Sequence, residues 1–228
     1  DGGMVQVGKE ASLALHDLTG FEGRCEAILF CKDKRFKPTD DIEALTKFRR
    51  QLLGLSDEPE NGGDFDLIVS GGGLAGTCAA ISAARSGIKV ALVQDRPVLG
   101  GNGSSEVRVW PEGHTNKELF PHVGDIVNEI LPIVNRKFPG EVLNGVAAPY
   151  YDDAKKINII QNEPNITLLL NHRVIGVDTK GDEITSIVIQ STITSIQLKL
   201  KGKLFADCTG DAIVGYKAGA DYEYKAEN

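Results

Sequence analysis

Sulfur and large aromatic side chains are scarce in this chain of 228 residues, which has 4 Cys, 1 Met and 1 Trp. Cys25, Cys31, Cys78 and Cys208 form no CxxC pair and have no histidines at zinc-site spacing, so a metal is not expected. If Cys25 and Cys31 share one extended strand, six residues at ~3.3 Å each hold them about 20 Å apart, beyond disulfide reach. All four are read as buried thiols. Long apolar runs are missing too. Leu67 to Val69 and Ile166 to Leu170 are short and bounded by polar residues, against the roughly 20 residues needed to span a bilayer. A soluble protein with no membrane partner is expected. Basic residues are outnumbered, with 25 Lys and Arg against 32 Asp and Glu and a formal charge of −7. Nucleic acid is therefore not an expected partner, because clustered Lys and Arg drive phosphate binding by displacing counterions. The opening Asp1-Gly2-Gly3 shows no basic stretch followed by an apolar one, so any signal peptide is expected to be gone or never present.

What is present is the mixture of an ordinary globular protein, 41% hydrophobic and 25% charged, in a length that suits one core or one domain plus part of another. Leu13 and Leu15 alternate with smaller or polar neighbours, and Ala27 to Phe30 come after a turn-like Thr19-Gly20-Phe21-Glu22-Gly23. Two strands are expected there. A pair of strands cannot bury a core alone, so they are expected to end a β-rich domain or to pack on the domain after them. Ile42, Leu45, Phe48 and Leu52 have helical spacing, with Thr39 or Asp40 as N-cap and Gly54 as a stop. Ser56 to Asp64 is acidic, contains Pro and Gly and lacks apolar periodicity, which marks a linker. The boundary is placed near Gly62: residues 1–62 close a β-rich domain with a helix and linker, and 63–228 form a second domain.

From Phe65 the pattern changes to strand, helix, strand: Phe65 to Ser70, about Leu74 to Ser86, and Lys89 to Gln94. That is a βαβ unit. Val123, Ile126, Val127, Ile130, Leu131 and Val134 mark an amphipathic helix, and Ile166 to Leu170 a buried strand. Short strands around Arg173 to Val177, Ile184 to Ile189 and Ile193 to Leu200 form a β-meander, and Leu204 to Cys208 re-enters the main sheet. The fold class is α/β, with a central parallel sheet and a meander.

FDLIVSGGGLAG places Gly71, Gly73 and Gly76 in GxGxxG register after an apolar strand and before a small-residue helix. That context is the fingerprint of a Rossmann-like dinucleotide-binding fold. Gly71 permits the tight turn, Gly73 lets a pyrophosphate approach the backbone, Gly76 lets helix and strand pack closely, and Gly72 lies in the same loop. Cys78 and Ile81 are read as core. The ribose-binding acid is expected about 20 residues on, where the chain has Gln94-Asp95-Arg96. Either the Gln94 amide bonds the ribose hydroxyls or Asp95 takes over, unless Asp95 simply pairs with Arg96 at the surface. An uncharged Gln94 also removes the repulsion that excludes a 2′-phosphate, which leaves NADP open.

DRPVLGGNGSSEVRVW, residues 95–110, resembles the second phosphate-contacting segment of two-dinucleotide-binding-fold flavoproteins. With LALHDLTGFEGRC from Leu13 and the stretch from Asp64 to Asn102, the chain resembles the FAD-dependent oxidoreductase family of polysaccharide-degrading bacteria. Glutathione-reductase and fumarate-reductase types share its outline. The resemblance implies FAD as cofactor, with Gly100, Gly101 and Asn102 along the pyrophosphate and toward the flavin. It implies a backbone contact to adenine near Val174. FADCTGD, residues 205–211, resembles the strand-end motif where Thr209 and Gly210 pass the cofactor and Asp211 hydrogen-bonds nearby. It also implies that the chain continues into a substrate domain, and that the protein is periplasmic or secreted, with a cytoplasmic location left open.

In such proteins the isoalloxazine does the redox work while the protein orients the substrate. Ser104, Ser105, Glu106, Arg108, Trp110 and His114 are the candidates to approach the ring. Arg108 could stabilise an anionic reduced flavin or bind a carboxylate, although Glu106-Val107-Arg108-Val109 also alternates like an exposed strand face. His114 could act as general base; His122, His172 and His16 rank below it. The expected reaction is hydride transfer from a small organic substrate, a sugar derivative among the candidates, to FAD. The rival readings are a polysaccharide lyase or carbohydrate-binding protein with an accessory nucleotide fold, and an NAD(P)-binding module. Substrate, electron acceptor and oligomeric state are not legible.

Overall fold

The structure is a computed structural model that describes residues 6–14, 16, 28–33, 35–109, 119–131 and 148–223. Two compact units divide the chain, residues 1–45 and 46–228, and the candidate site lies wholly in the second. No helix among the described residues is long and apolar enough to cross a membrane.

In the first unit, residues 6–14 and 28–33 form no strand. The two strands expected near Leu13 and Ala27 are thus not found among the described residues, of which Leu15 and Ala27 are not part. Alternation licenses a strand only where a neighbour completes the ladder, and among the described residues no strand pairs with these segments. Cys31 is exposed and Cys78 and Cys208 are half-buried free thiols, a correction to four buried ones; Cys25 lies outside the described residues. Helix α1 spans Ile42–Leu52. Its N-terminus is capped by Asp41, whose carboxylate accepts the Ala44 N–H at 2.7 Å, one residue later than expected. Thr39 supports the cap by accepting the Asp41 N–H, and Gly54 ends the turn with φ +67°.

The second unit is built on one sheet. Its strands are β1 (Glu60–Ser70), β2 (Val90–Gln94), β3 (Ile166–Leu170), β4 (His172–Lys180), β5 (Glu183–Ser191) and β6 (Gln197–Asp207), in spatial order β3-β2-β1-β6-β5-β4. The first four in that order run parallel, and β6, β5 and β4 pair antiparallel as the meander. Every residue of β2 is buried, as a parallel strand covered on both faces requires. Leu92 and Val90 pack with Val69, Ile81, Ala84 and Ile160 on one face, and Ala91 and Val93 with Ile68, Ile187, Ile189 and Leu200 on the other. Burying each such branched side chain contributes about 1.5–3 kcal/mol. Helices α2 (Leu74–Arg85), α3 (Asp125–Ile130), α4 (Asp153–Gln161) and α5 (Ile213–Ala218) complete the described elements with short 3-10 turns at Gly101–Gly103 and Ala148–Tyr151.

Two departures from the expected outline share a cause. The second half of the expected linker is strand: Glu60 to Asp64 pair with Leu198 to Lys201 around a bulge at Asn61–Gly63. The meander strand and the re-entering strand are one strand, β6, which pairs with β5 along its first half and with β1 along nearly all its length. In both places glycine serves close packing rather than a turn. A Cβ on Gly62 would lie 2.4 Å from Leu200, and one on Gly202 2.9 Å from Ile68.

Arg50, on α1 but 5% exposed, donates from its two terminal nitrogens to the carbonyls of Ser195 and Ser56. Ser195 stands at φ +62° in the β5–β6 turn, so the guanidinium pins that turn to the segment entering β1. Arg50→Met, which keeps the stem and strands two buried carbonyls, should lower stability by about 1.5–3 kcal/mol, read as a fall in the denaturant midpoint with an unchanged slope.

Candidate functional site

The parallel strands end together, with Ser70 beside Asp207 and Gln94 beside Leu170. The loops that leave them therefore meet at the carboxyl edge of the sheet, where open α/β sheets bind ligands. Three loops converge there: 71–73, 95–105 and 208–212.

Gly71 turns the chain at φ +97° and leaves no room for a side chain, since a Cβ would lie 2.4 Å from the Cys208 carbonyl oxygen. Gly76 allows α2 to press on that turn: its Cβ would lie 1.8 Å from the Gly71 oxygen. Gly72 is equally crowded, by Leu99 and Gln94. Gly73 differs, because a Cβ there meets nothing within 4 Å. It stands at the N-terminus of α2 with extended backbone and no side-chain cap. The helical ladder begins with the Thr77 N–H donating to Gly73 at 2.9 Å. The N–H groups of residues 74–76 precede that ladder and have no intrahelical acceptor. With no acidic residue in the first turn, the positive end of α2 opens onto bare backbone, as an anion site requires.

The second glycine segment lies against the first. The Gly100 N–H donates to the Gly72 carbonyl at 2.8 Å, Gly73 and Gly100 form a parallel bridge, and a Cβ on Gly101 would lie 3.2 Å from the Gly73 Cα. Gly100 and Gly101 both have positive φ, +104° and +56°, which only glycine adopts readily. Asn102 is exposed beside them. Ser104 is fully buried and its hydroxyl accepts the Glu106 N–H, so it shapes the turn. The third loop joins from β6, where Cys208 donates to the Ser70 carbonyl at 2.8 Å. Thr209 gives its hydroxyl to Asp207 and receives the Ile213 N–H, while Gly210 and Asp211 are exposed.

Gln94 has a structural task. Its amide oxygen accepts the Gly72 N–H at 2.8 Å and its amide nitrogen donates to the Val98 carbonyl at 3.0 Å. Both ends are engaged by backbone, and the exposed Asp95 is the acid at the edge. Arg96 pairs with Glu106 at 2.9 Å rather than with Asp95, and Glu106 holds the guanidinium pKa above its ordinary value. Arg96 also offers its carbonyl to Asn171, which brings the start of β4 to the same edge. Val174 buries its side chain among Ile187 and Ile189, and its backbone flanks a bulge in the β4–β5 pairing.

Arg108 directly follows the turn at 105–107 and lies on no strand, with φ +63°. Its Nε donates to the Ser105 carbonyl at 2.9 Å and the side chain is exposed. A non-glycine residue in this conformation is strained. Arg108 is close enough to Tyr151 to oppose the upward push that burial gives the phenol pKa. Trp110 and His114 lie outside the described residues. His122 pairs with Asp125 at 2.8 Å and His172 with the Leu170 carbonyl at 2.7 Å, both inside local turns.

Some functional parts escaped the sequence reading. Asp207 accepts N–H groups from Thr209, Val214 and Gly215, fixing the third loop and the start of α5; an acid at a strand end followed by Thr-Gly was the available signal. Helix α4 was missed altogether. Asp152 caps it by accepting the Lys155 N–H, and its buried positions are Lys156 and Ile160.

The crowding differs enough between neighbouring glycines to be measured. Gly76→Ala should cost more than about 2 kcal/mol of stability by driving a methyl into backbone, whereas Gly73→Ala should change it by less than about 0.5 kcal/mol. Thermal unfolding of the cofactor-free protein compares the two.

Residues 66–228 match the model of the family described as FAD dependent oxidoreductase. The chain is similar to the tRNA uridine 5-carboxymethylaminomethyl modification enzyme MnmG of Alkaliphilus metalliredigens (strain QYMF), 28% identical over 174 residues, 64% of this chain and 26% of that protein. It is also similar to the soluble pyridine nucleotide transhydrogenase of Ectopseudomonas mendocina (strain ymp), 51% identical over 39 residues, 17% of this chain and 8% of that protein. The chain thus spans about a quarter or less of these curated relatives. Among solved structures, Thermovibrio ammonificans THI4 aligns with a TM-score of 0.46 and 20% identity, over 79% of this chain and 69% of that chain. With a family match over most of its length and a bare-backbone cradle at the edge of its sheet, the chain belongs to the FAD dependent oxidoreductase family, and its cofactor is FAD.

Proposed function

We propose that this chain is the FAD-binding part of an enzyme that oxidises a small organic substrate by hydride transfer. The observation that carries the reading is the joined pair of glycine segments, Gly72 to Gly100 and Gly73 to Gly101, beside an open helix N-terminus. The chemistry that FAD supplies when bound is acceptance of a hydride from a C–H bond. Gly73, Gly100 and Gly101 would hold the diphosphate with Asn102 next to them. Asp95 would meet the ribose of the adenosine end, since Gln94 is committed to the loop, and the backbone at Val174 would meet adenine. Thr209, Gly210 and Asp211 would line the opposite side.

Arg108 presents an exposed guanidinium fixed at its Nε, suited to binding a substrate carboxylate or to balancing negative charge as it develops. His114, a few residues further along the chain, would take the proton that leaves a hydroxyl or amine as the hydride departs. A carbohydrate-derived substrate and a periplasmic or secreted location are proposed on the chain's likeness, from Leu13 onward, to a flavoprotein family often found in polysaccharide-degrading bacteria. A partner beyond the small molecule is not part of the proposal.

The cofactor test is to purify the intact protein and identify what it releases on denaturation by spectrum and mass. FAD is expected; NAD(P) alone would overturn the reading. Gly73→Val should fold normally and carry no FAD, because its side chain occupies the place of the diphosphate. Stoichiometric FAD in that variant would show that the site is misplaced. For the reaction, anaerobic mixing with sugars, polyols, amines and hydroxy acids should bleach the flavin absorbance with one class and not the others. Sugar binding without bleaching would favour a carbohydrate-binding role.

A further inference from the structure

We propose that Lys156 and Asp153, on α4, form a buried ion-pair bracket that holds the second glycine segment in its cofactor-receiving conformation, which makes Lys156 a positioning residue for FAD. The inference rests on the placement of the diphosphate at the glycine segments.

Lys156 is fully buried. A buried ammonium is costly unless it is paired and hydrogen-bonded, and this one donates to the Asp153 carboxylate at 3.2 Å and to the Tyr151 carbonyl. The same carboxylate receives the Ser105 N–H, 3.3 Å from each oxygen. The lysine stem covers the other end of the segment: a Cβ on Gly100 would lie 3.1 Å from its Cε and 3.3 Å from its Cδ. Residues 100–105 are therefore gripped twice by one helix, at Gly100 by methylenes and at Ser105 by a carboxylate. On its other side the segment touches the first glycine loop through the Gly100 hydrogen bond.

The segment needs a grip from outside. Gly100, Gly101 and Gly103 are three of its first four residues, and glycine loses more conformational freedom on ordering than any other residue. A leucine or methionine at 156 would cover Gly100 without desolvating a charge, so the ammonium is accounted for by what it bonds. It ties the carboxylate in place, and that carboxylate fixes Ser105.

The test compares wild type, Lys156→Met and Asp153→Asn in the intact protein. Three quantities are read: FAD affinity of the deflavinated protein by flavin fluorescence, the unfolding midpoint without FAD, and amide exchange across residues 101–105. Lys156→Met keeps the stem over Gly100 and removes the charge. It should weaken FAD binding by about tenfold or more and speed exchange in residues 101–105 of the flavin-free protein more than elsewhere. Asp153→Asn, which leaves the buried ammonium without its counter-charge, should move both quantities the same way. Unchanged affinity and unchanged local exchange in Lys156→Met would overturn the proposal. So would faster exchange spread evenly over the chain with a lower midpoint and wild-type affinity, the mark of a purely structural residue. Should Lys156→Met not fold, Asp153→Asn decides: wild-type affinity and wild-type exchange at Ser105 overturn the bracket. If wild type itself takes up no FAD, the cofactor reading fails instead, and the flavin-free exchange comparison still tells whether α4 holds the segment.

Discussion

The hydrogen bond from the Gly100 N–H to the Gly72 carbonyl joins the two backbones on which the rest of the site is laid out. It requires two chains to approach without side chains between them, and that requirement propagates. Gly71 must yield to Cys208, Gly76 must yield to Gly71, and Gly72 must fit beneath Leu99. Only Gly73 is spared on the protein side. A Cβ at Gly73 would meet no neighbour in the fold.

Polar side chains around this contact are spent on holding loops. Gln94 ties the first glycine loop to Val98, Asp207 gathers the N–H groups that begin α5, and Asp153 receives Ser105. Each links a side chain on a strand or helix to backbone that would otherwise be unpaired, the arrangement that keeps a site in register before its ligand arrives. Asp95, Asn102, Arg108 and Asp211 are among the exposed polar residues around these loops.

Much of the fold was legible because apolar spacing reports burial. The VALVQ and ITLLL runs are the strands they suggest, and the glycine register marks the loop between β1 and α2. The unread parts are those where burial and polarity part company. Lys156 and Arg50 are buried charges, invisible to a pattern that equates charge with surface, so α4 and the pin on the β5–β6 turn went unseen. Gly62 was read as a boundary because a sequence does not show what lies across the sheet from a glycine. Gln94 looked like a ligand contact for a similar reason: position gave its neighbourhood, and only geometry gave the partner of its amide.

The strand shared between the parallel sheet and the meander has a consequence for how the molecule is made. Ser70 and Asp207 sit side by side although most of the unit lies between them along the chain, and contacts between such distant residues form slowly because loop closure must precede them. One edge of β1 has no strand beside it until β6 has been synthesised, because β2 to β5 all come between them in the chain. An unpaired strand edge can template the wrong partner, and the Asp66–Lys203 ion pair at 2.6 Å spans the finished seam with opposite charges.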